Sequence, residues 1–479
     1  MTSDGDGSDS AGCPATDAAA PVARTRWSAV VTFGVATLLV TSELSMAAFA
    51  LPLVAAELGV DPASTTWVVL AYSLPLAALA LPAGRWIDQA DLRSVFVFSL
   101  LVIGGASVAA AAAPVFWTLL AARVVQGAAS ALYLAAYLPV VTSAVRSDHH
   151  GRAISYISTI MMLGSIALAP LGGFVAAAWG WRALFLVKVP LLVAIALAGF
   201  RAIPHSGSEG RRALPRPDRS QLTDVVLLGS AITAALLAVE QVEQLDRWAV
   251  AGALGVAALA LLALWARTST SRPVLTLVGR LALGLPALAL LLTAATVGLP
   301  VYSLPFFISE VMGQSPDLLG LAMLFFMGAA ALFTPLAGTL ADRYGPSPVA
   351  ISGGIVTALG VLSLLTLTAD AGVIDLGWRL GLLGSGIGLF SPPAMTAILH
   401  AAPEGQAGAA GGVTNLARTL GTTIGPAIAA LAWTIGGGST PGFNTSVIVL
   451  AVCTLLGIVA MTVTWTRAPV RGESAPATG

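Results

Sequence analysis

What most constrains this chain is a rhythm of uninterrupted apolar stretches, each about 20 residues long and each closed by a short polar loop. Such segments fall at 28–53, 66–84, 94–113, 116–144, 153–178, 183–201, 222–240, 248–266, 283–308, 317–340, 348–368, 376–399, 408–434 and 445–466. That length is what an α-helix needs to cross the hydrocarbon core of a bilayer. With 57% hydrophobic and only 10% charged residues, the chain has too little polar surface to face water on every side. We therefore expect an all-α polytopic membrane protein with 14 transmembrane helices.

Arginine placement tests the count. Arg24, Arg26, Arg85, Arg93 and Arg146, through to Arg467 and Arg471, fall in loops that alternate onto one side, against Arg182, Arg247 and Arg379 on the other. A miscounted span would invert every later loop and destroy that asymmetry, so both termini are expected in the cytoplasm. Lys+Arg and Asp+Glu balance at 23 each, which gives no reason to expect nucleic acid. Cys13 and Cys453 make neither a disulfide framework nor a metal site. The pair His149–His150 reads as part of an exposed loop. The acidic, small-residue start lacks the basic and apolar regions of a signal peptide and reads as a disordered cytoplasmic tail.

The chain repeats itself. GRWIDQADLRS from Gly84 and GTLADRYGPSP from Gly338 are alike at a separation of 254 residues, and SIALAPLGG from Ser165 and GTTIGPAIA from Gly421 at 256. Two pairs at nearly one offset point to a duplicated six-helix bundle, an arrangement that places a substrate site between the halves near mid-membrane. The organisation expected is a cytoplasmic tail at 1–26, a first bundle at 27–201, a cytoplasmic linker at 202–221, two inserted helices at 222–267, a second linker at 268–282, a second bundle at 283–466 and a cytoplasmic tail at 467–479.

These motifs carry a resemblance. GTLADRYG is similar to the loop signature of the major facilitator superfamily, AARVVQGAASA from Ala121 to its fourth-span signature, and GTTIGP to its antiporter signature, of which SIALAP is a degraded copy. WVVLAYSL from Trp67, GWRALFLVKVP from Gly180 and GVTNLARTLGTTIG from Gly412 resemble its fourteen-span drug:proton antiporter branch. That branch's pattern has Asp and Asn in the first span where this chain has Glu43 and Ala48, and Asn where it has Lys188. The resemblance implies a major facilitator fold of two six-helix bundles plus two inserted helices, in a bacterial cytoplasmic membrane. It also implies a monomer that needs no cofactor or metal and handles protons and a small-molecule substrate. The loop signatures imply a cytoplasmic gate of Gly84, Asp88 and Arg93 with Gly338, Asp342, Arg343 and Gly345. The antiporter signature implies flexible points at Gly164, Ala169, Pro170 and Gly173, and at Gly421, Gly425 and Pro426.

Charges inside the spans are the sharpest chemical signal. Glu43 lies deep in the first apolar run, and a charge at the bilayer centre costs about 2.5–3.5 kcal/mol. It is kept there by pairing, by neutralisation or by water, and the functional reading is a proton carrier or a partner for a cationic substrate. Glu43 precedes Pro52 by nine residues and Arg123 follows Pro114 by nine, so both lie about 13 Å below the same surface. Arg123 is thus the candidate partner, either coupled to protonation or acting as a structural lock. Gln126 and Tyr137 continue the Arg123 stripe. Asn415 and Arg418, three apart, share a face of the thirteenth span; Arg418 could bind an anionic group, balance an acid or hold a helix interface. Asp224 reads as solvated near a span end. Trp67, Tyr72, Gln126, Tyr137, Phe306, Phe326, Asn415 and Arg418, with Phe325, Met327 and Phe390, are the candidate cavity residues, aromatic and Met side chains suiting bulky, partly apolar ligands.

Three readings of function result. The first is a proton-coupled exporter of drug-like or secondary-metabolite molecules. The second keeps the fold and changes cargo or direction, such as amino-acid or siderophore transport. The third is a membrane sensor or assembly subunit that transports nothing. No nucleophile–base constellation or nucleotide-binding loop points to an enzyme or to ATP as the driver.

Overall fold

The computed structural model describes residues 25–60, 62–203, 214, 219–242, 248–268, 271–314 and 317–467; the side chains at 44–50 and at scattered other helical positions lie outside that description. The expected tails and most of the first linker also lie outside it.

The chain is helical wherever it is apolar, because a backbone in hydrocarbon must satisfy its own N–H and C=O groups. The first half comprises α1 (Trp27–Leu58), α2 (Thr66–Ala78), α3 (Ala80–Ile87), α4 (Leu92–Ala111), α5 (Phe116–Ala135), α6 (Tyr137–Ala144), α7 (His150–Leu186) and α8 (Val189–Ala202). Two helices follow, α9 (Gly229–Val242) and α10 (Trp248–Arg267). The second half comprises α11 (Leu281–Ala294), α12 (Asp317–Tyr344), α13 (Pro346–Ser363), α14 (Val373–Ala401), α15 (Ala407–Ile435) and α16 (Ser439–Arg467). Among the described residues, ten helices are long and apolar enough to cross a membrane, or eleven if α2 and α3 form one bent span. The other expected spans correspond to α1, the first part of α7 and α15, the last made less apolar by its Thr, Asn and Arg residues.

The irregularities have local causes. Pro82 in the first turn of α3 has no N–H to donate to Ala78 O, and α2 and α3 meet at 47°. After α11 the chain passes through 3₁₀ and π turns over Ala295–Val311, a stretch that holds Pro300 and Pro305. In α7, Gly180 has φ +77°, a left-handed conformation that any Cβ would strain. That break turns Trp181 inward, where its Nε1 donates to Glu57 Oε2 at 2.6 Å. Arg182 pairs with the same carboxylate and donates to Ala113 O at 3.0 Å.

Helices pack mainly within their own half: α1 on α7, α4 on α5 and α8, and α2 on α5; then α12 and α13 on α14, and α11 on α15 and α16. The halves touch where α7 meets α12 and where α3 meets α15. The extra pair α9 and α10 pack on each other, and α9 also lies against α2 and α15.

Candidate functional site

A buried charge cluster lies within the first half. Glu43 of α1, Arg123 of α5 and Lys188, at the start of α8, are each no more than 5% exposed. Arg123 Nη1 donates to Glu43 Oε2 at 2.9 Å, and Lys188 Nζ sits 2.7 Å from Glu43 Oε1. The guanidinium also reaches Gln126 Oε1 at 3.0 Å and the carbonyl of Val68 at 3.0 Å. Gln126 in turn donates to Ser107 Oγ at 2.8 Å. Arg123 lies 4.6 Å above the Tyr72 ring, whose hydroxyl donates to Val40 O at 3.0 Å. One carboxylate thus faces two cations in a buried site, where each charge must be paired to be tolerated. The contact between Glu43 and Arg123 is the one their matched depth allows. Lys188 supplies the second cation.

A second feature lies between the halves. A cavity of about 330 Å³ is lined by Thr37 and Tyr137 from the first half, by Met327 and Met395 from the second, and by Asn415 and Arg418 of α15. Arg418 Nη2 donates to Asn415 Oδ1 at 3.3 Å. Of the aromatic candidates, only Tyr137 reaches this cavity; its hydroxyl donates to Ile154 O at 3.0 Å. Trp67 and Phe325 are exposed on helix surfaces, Tyr72 and Gln126 belong to the charge cluster, and Phe326 and Phe390 are buried in packing. Phe306 makes tilted ring contacts with Tyr302 and Trp433.

At one end of the molecule, two latches join the halves. Asp88, just after α3, accepts from the backbone N–H of Gly408 at 2.7 Å and of Ala409 at 3.0 Å, at the start of α15. Asp342 of α12 accepts from Gly151 N at 2.8 Å and Arg152 N at 3.1 Å, at the start of α7. Each half therefore supplies a carboxylate to the positive end of a helix in the other half, where unpaired N–H groups and the helix dipole favour an anion. Gly84 and Gly338 are the residues at the crossings: a Cβ on Gly84 would strike the Gly408 carbonyl, and one on Gly338 the Ser155 side chain and the Gly151 carbonyl. The helix that each acid caps belongs to the opposite half.

The expected basic gate neighbours are placed elsewhere. Arg93 donates to Ile203 O at 2.9 Å and lies over Phe200, within its own half. Arg343 lies over the adjacent Tyr344 ring, and it is Arg152 that approaches Asp342, at 3.9 Å. Gly345, at φ +90°, turns the chain from α12 into α13. His150 is buried at the latch end with its ring 5.7 Å from that of His400, not exposed in a loop. Of the flexible points, Gly164 packs against Leu38 of α1, while Gly421 and Gly425 bring α15 against the backbone at Leu291 and Ala295. Pro426 lies in the same helix. The side chains of Ala169 and Pro170 and the surroundings of Gly173 lie outside the described residues.

Asp224 corrects the sequence reading outright. It is 1% exposed, ion-paired with Arg85 of α3, and accepts from Trp265 Nε1 of α10 at 2.8 Å. It is a buried anchor for the extra helices, and its partner in α3 lies 139 residues away in sequence.

Two helical halves that close around a central cavity and latch reciprocally at one end define a membrane transporter rather than an enzyme. The Major Facilitator Superfamily model matches residues 33–296 and 286–479, and the chain belongs to that family. It is 28% identical over 418 residues to the uncharacterized transporter YebQ of Escherichia coli (strain K12), covering 85% of this chain and 89% of that protein. It is 29% identical over 420 residues to the multidrug resistance protein Stp of Mycobacterium tuberculosis (strain CDC 1551 / Oshkosh), covering 85% and 75%. The solved structure of the proton:xylose symporter XylE bound to 6-bromo-6-deoxy-D-glucose shares the fold, with a TM-score of 0.64 at 15% identity over 93% of this chain and 96% of that one.

Proposed function

We propose that this transporter is a proton-coupled exporter of drug-like or secondary-metabolite molecules, working as a monomer by alternating access in a bacterial cytoplasmic membrane. In this reading the chain crosses the membrane 14 times, as two six-helix bundles and an inserted pair, with both termini and the latch end in the cytoplasm. The similarity to a multidrug resistance protein supports the cargo class.

The observation that carries the coupling is the buried cluster of Glu43, Arg123 and Lys188. With all three ionised it holds one negative and two positive charges. Release of one proton from Lys188 brings it to zero, whereas a proton added to Glu43 doubles its surplus. The pair of Glu43 and Lys188 is therefore the proton-exchanging unit, and Arg123 holds the carboxylate in place through its bonds to Gln126 and Val68. This extends the role expected for Glu43 and Arg123 to a third residue. Each inward proton supplies about 2.3 kcal/mol per 100 mV and about 1.4 kcal/mol per pH unit.

Proteoliposomes test the reading. With an inside-acid gradient imposed, addition of a transported compound drives proton efflux and raises lumenal pH. Glu43→Gln and Lys188→Gln should each abolish that response in a folded protein. Undiminished coupling in both variants would remove the cluster from the mechanism, and silence of the wild type across a broad compound panel would remove antiport itself.

A further inference from the structure

The central cavity is chemically lopsided. Its walls are mostly apolar, with Met161, Met327 and Met395 among them, side chains that adapt to ligands of varied shape. The hydroxyls of Thr37, Ser158, Thr334 and Thr414 donate to carbonyls one turn back on their own helices, and Tyr137 donates to Ile154 O. Their protons are spent on the backbone. Among the described residues the single charged one in the lining is Arg418. Among the described residues it has no ion pair, and its recorded hydrogen bond goes to the neutral Asn415. Asn415 is 6% exposed, its Oδ1 is used by Arg418, and its Nδ2 has no partner. Three residues apart on α15, the two side chains present a guanidinium fork and an unused amide donor to one apolar chamber. A buried donor without an acceptor is costly, and a charged one more so.

No lining residue offsets that positive charge. The buried cluster of the first half cannot do so either, because its one carboxylate is already held by two cations. A cationic ligand would meet repulsion from Arg418 with no anion to compensate it. A carboxylate would satisfy both free donors at once in the bidentate geometry that guanidinium favours.

We propose that Arg418 and Asn415 form an anion-recognising site, and that the cargo is an amphipathic organic anion whose carboxylate docks on these two residues while its apolar body lies against the methionines. This deepens the transport reading and rests on it for the word cargo. The anion site itself does not.

A matched ligand series decides it. Binding of 1-naphthaleneacetate, the neutral 1-naphthaleneacetamide and the cationic 1-naphthylmethylammonium to the full chain in neutral-lipid nanodiscs would be measured by calorimetry. The carboxylate should bind at least about tenfold more tightly than either analogue, as expected for a charge-assisted bidentate contact. Arg418→Gln should bring it down to the level of the amide, while Arg418→Lys, which keeps the charge and loses the fork, should retain part of the preference. Equal or tighter binding of the ammonium by the wild type overturns the proposal without recourse to any variant, as does binding of none of the three. Carboxylate selectivity that survives Arg418→Gln also overturns it. Proton flux driven by cationic compounds alone would sink the anion site and leave the transporter reading standing. Selective carboxylate binding with no flux for any compound would do the reverse.

Discussion

Removing the Asp342 carboxylate should open the latch end. In Asp342→Asn the side chain keeps its size but loses its charge, and with it two charge-assisted bonds to Gly151 N and Arg152 N at 2.8 and 3.1 Å. Charge-assisted bonds are worth roughly twice neutral ones, which contribute about 0.5–1.5 kcal/mol each, and the helix-dipole interaction adds about 0.3–1 kcal/mol. An amide oxygen can still accept one of the two bonds, so the net loss is about 2–5 kcal/mol. At about 1.4 kcal/mol per decade, the closed state of this end should lose at least roughly 30-fold in population relative to the open one. Asp88→Asn should act with similar size on the other crossing, and the double variant should approach the sum, because the two acids cap different helices. Spin labels at Ser147→Cys and Glu404→Cys, exposed positions on opposite halves, would report the distance across this end once Cys13 and Cys453 are replaced. The variants should show a new, longer population. An unchanged distance distribution in the double variant would refute the claim that these carboxylates hold the halves together.

Asp224→Asn removes the carboxylate charge that faces the partly buried Arg85 and should destabilise the folded protein by about 3 kcal/mol, read as a lower thermal midpoint in detergent; replacing both members with apolar residues should recover most of it. Gly180→Ala forces a Cβ into a left-handed conformation and should cost about 1–2 kcal/mol, with the fluorescence of Trp181 shifting as its bond to Glu57 loosens. Gly84→Leu should block the approach of α3 to α15, so that transport is lost while the helix content measured by circular dichroism stays the same.

The architecture was legible because the bilayer imposes a strict code. Apolar runs of one length mark the helices, and the spaced repeats mark the two halves. Depth counting from Pro52 and Pro114 put Glu43 level with Arg123, because rise per residue is fixed in a helix. What stayed hidden was direction around the helix and partnership across the fold. Aromatic identity does not say which way a ring points, so Tyr72 belongs to the charge cluster, Phe326 and Phe390 to packing, and the cavity is lined by methionines and hydroxyls instead. Asp224 read as solvated because its partners lie in other helices, and nothing local distinguishes a wet carboxylate from a paired one. The partners of Asp88 and Asp342 are hidden for a related reason: main-chain N–H groups leave no mark in a sequence. Lys188 was the one legible signal left unused. It is the chain's single lysine and falls within an apolar run, which in a membrane span calls for a named acid.

The anchoring of the extra helices has a mechanical corollary. Asp224 ties them to Arg85 on the same short helix that leads into Asp88, while α9 also rests along α15 of the opposite half. A rocking motion of one half against the other cannot preserve both attachments. The ionic one is the stiffer, so the pair would travel with the first half as a fixed flank, and the slip plane would run along the seam of α9 and α15.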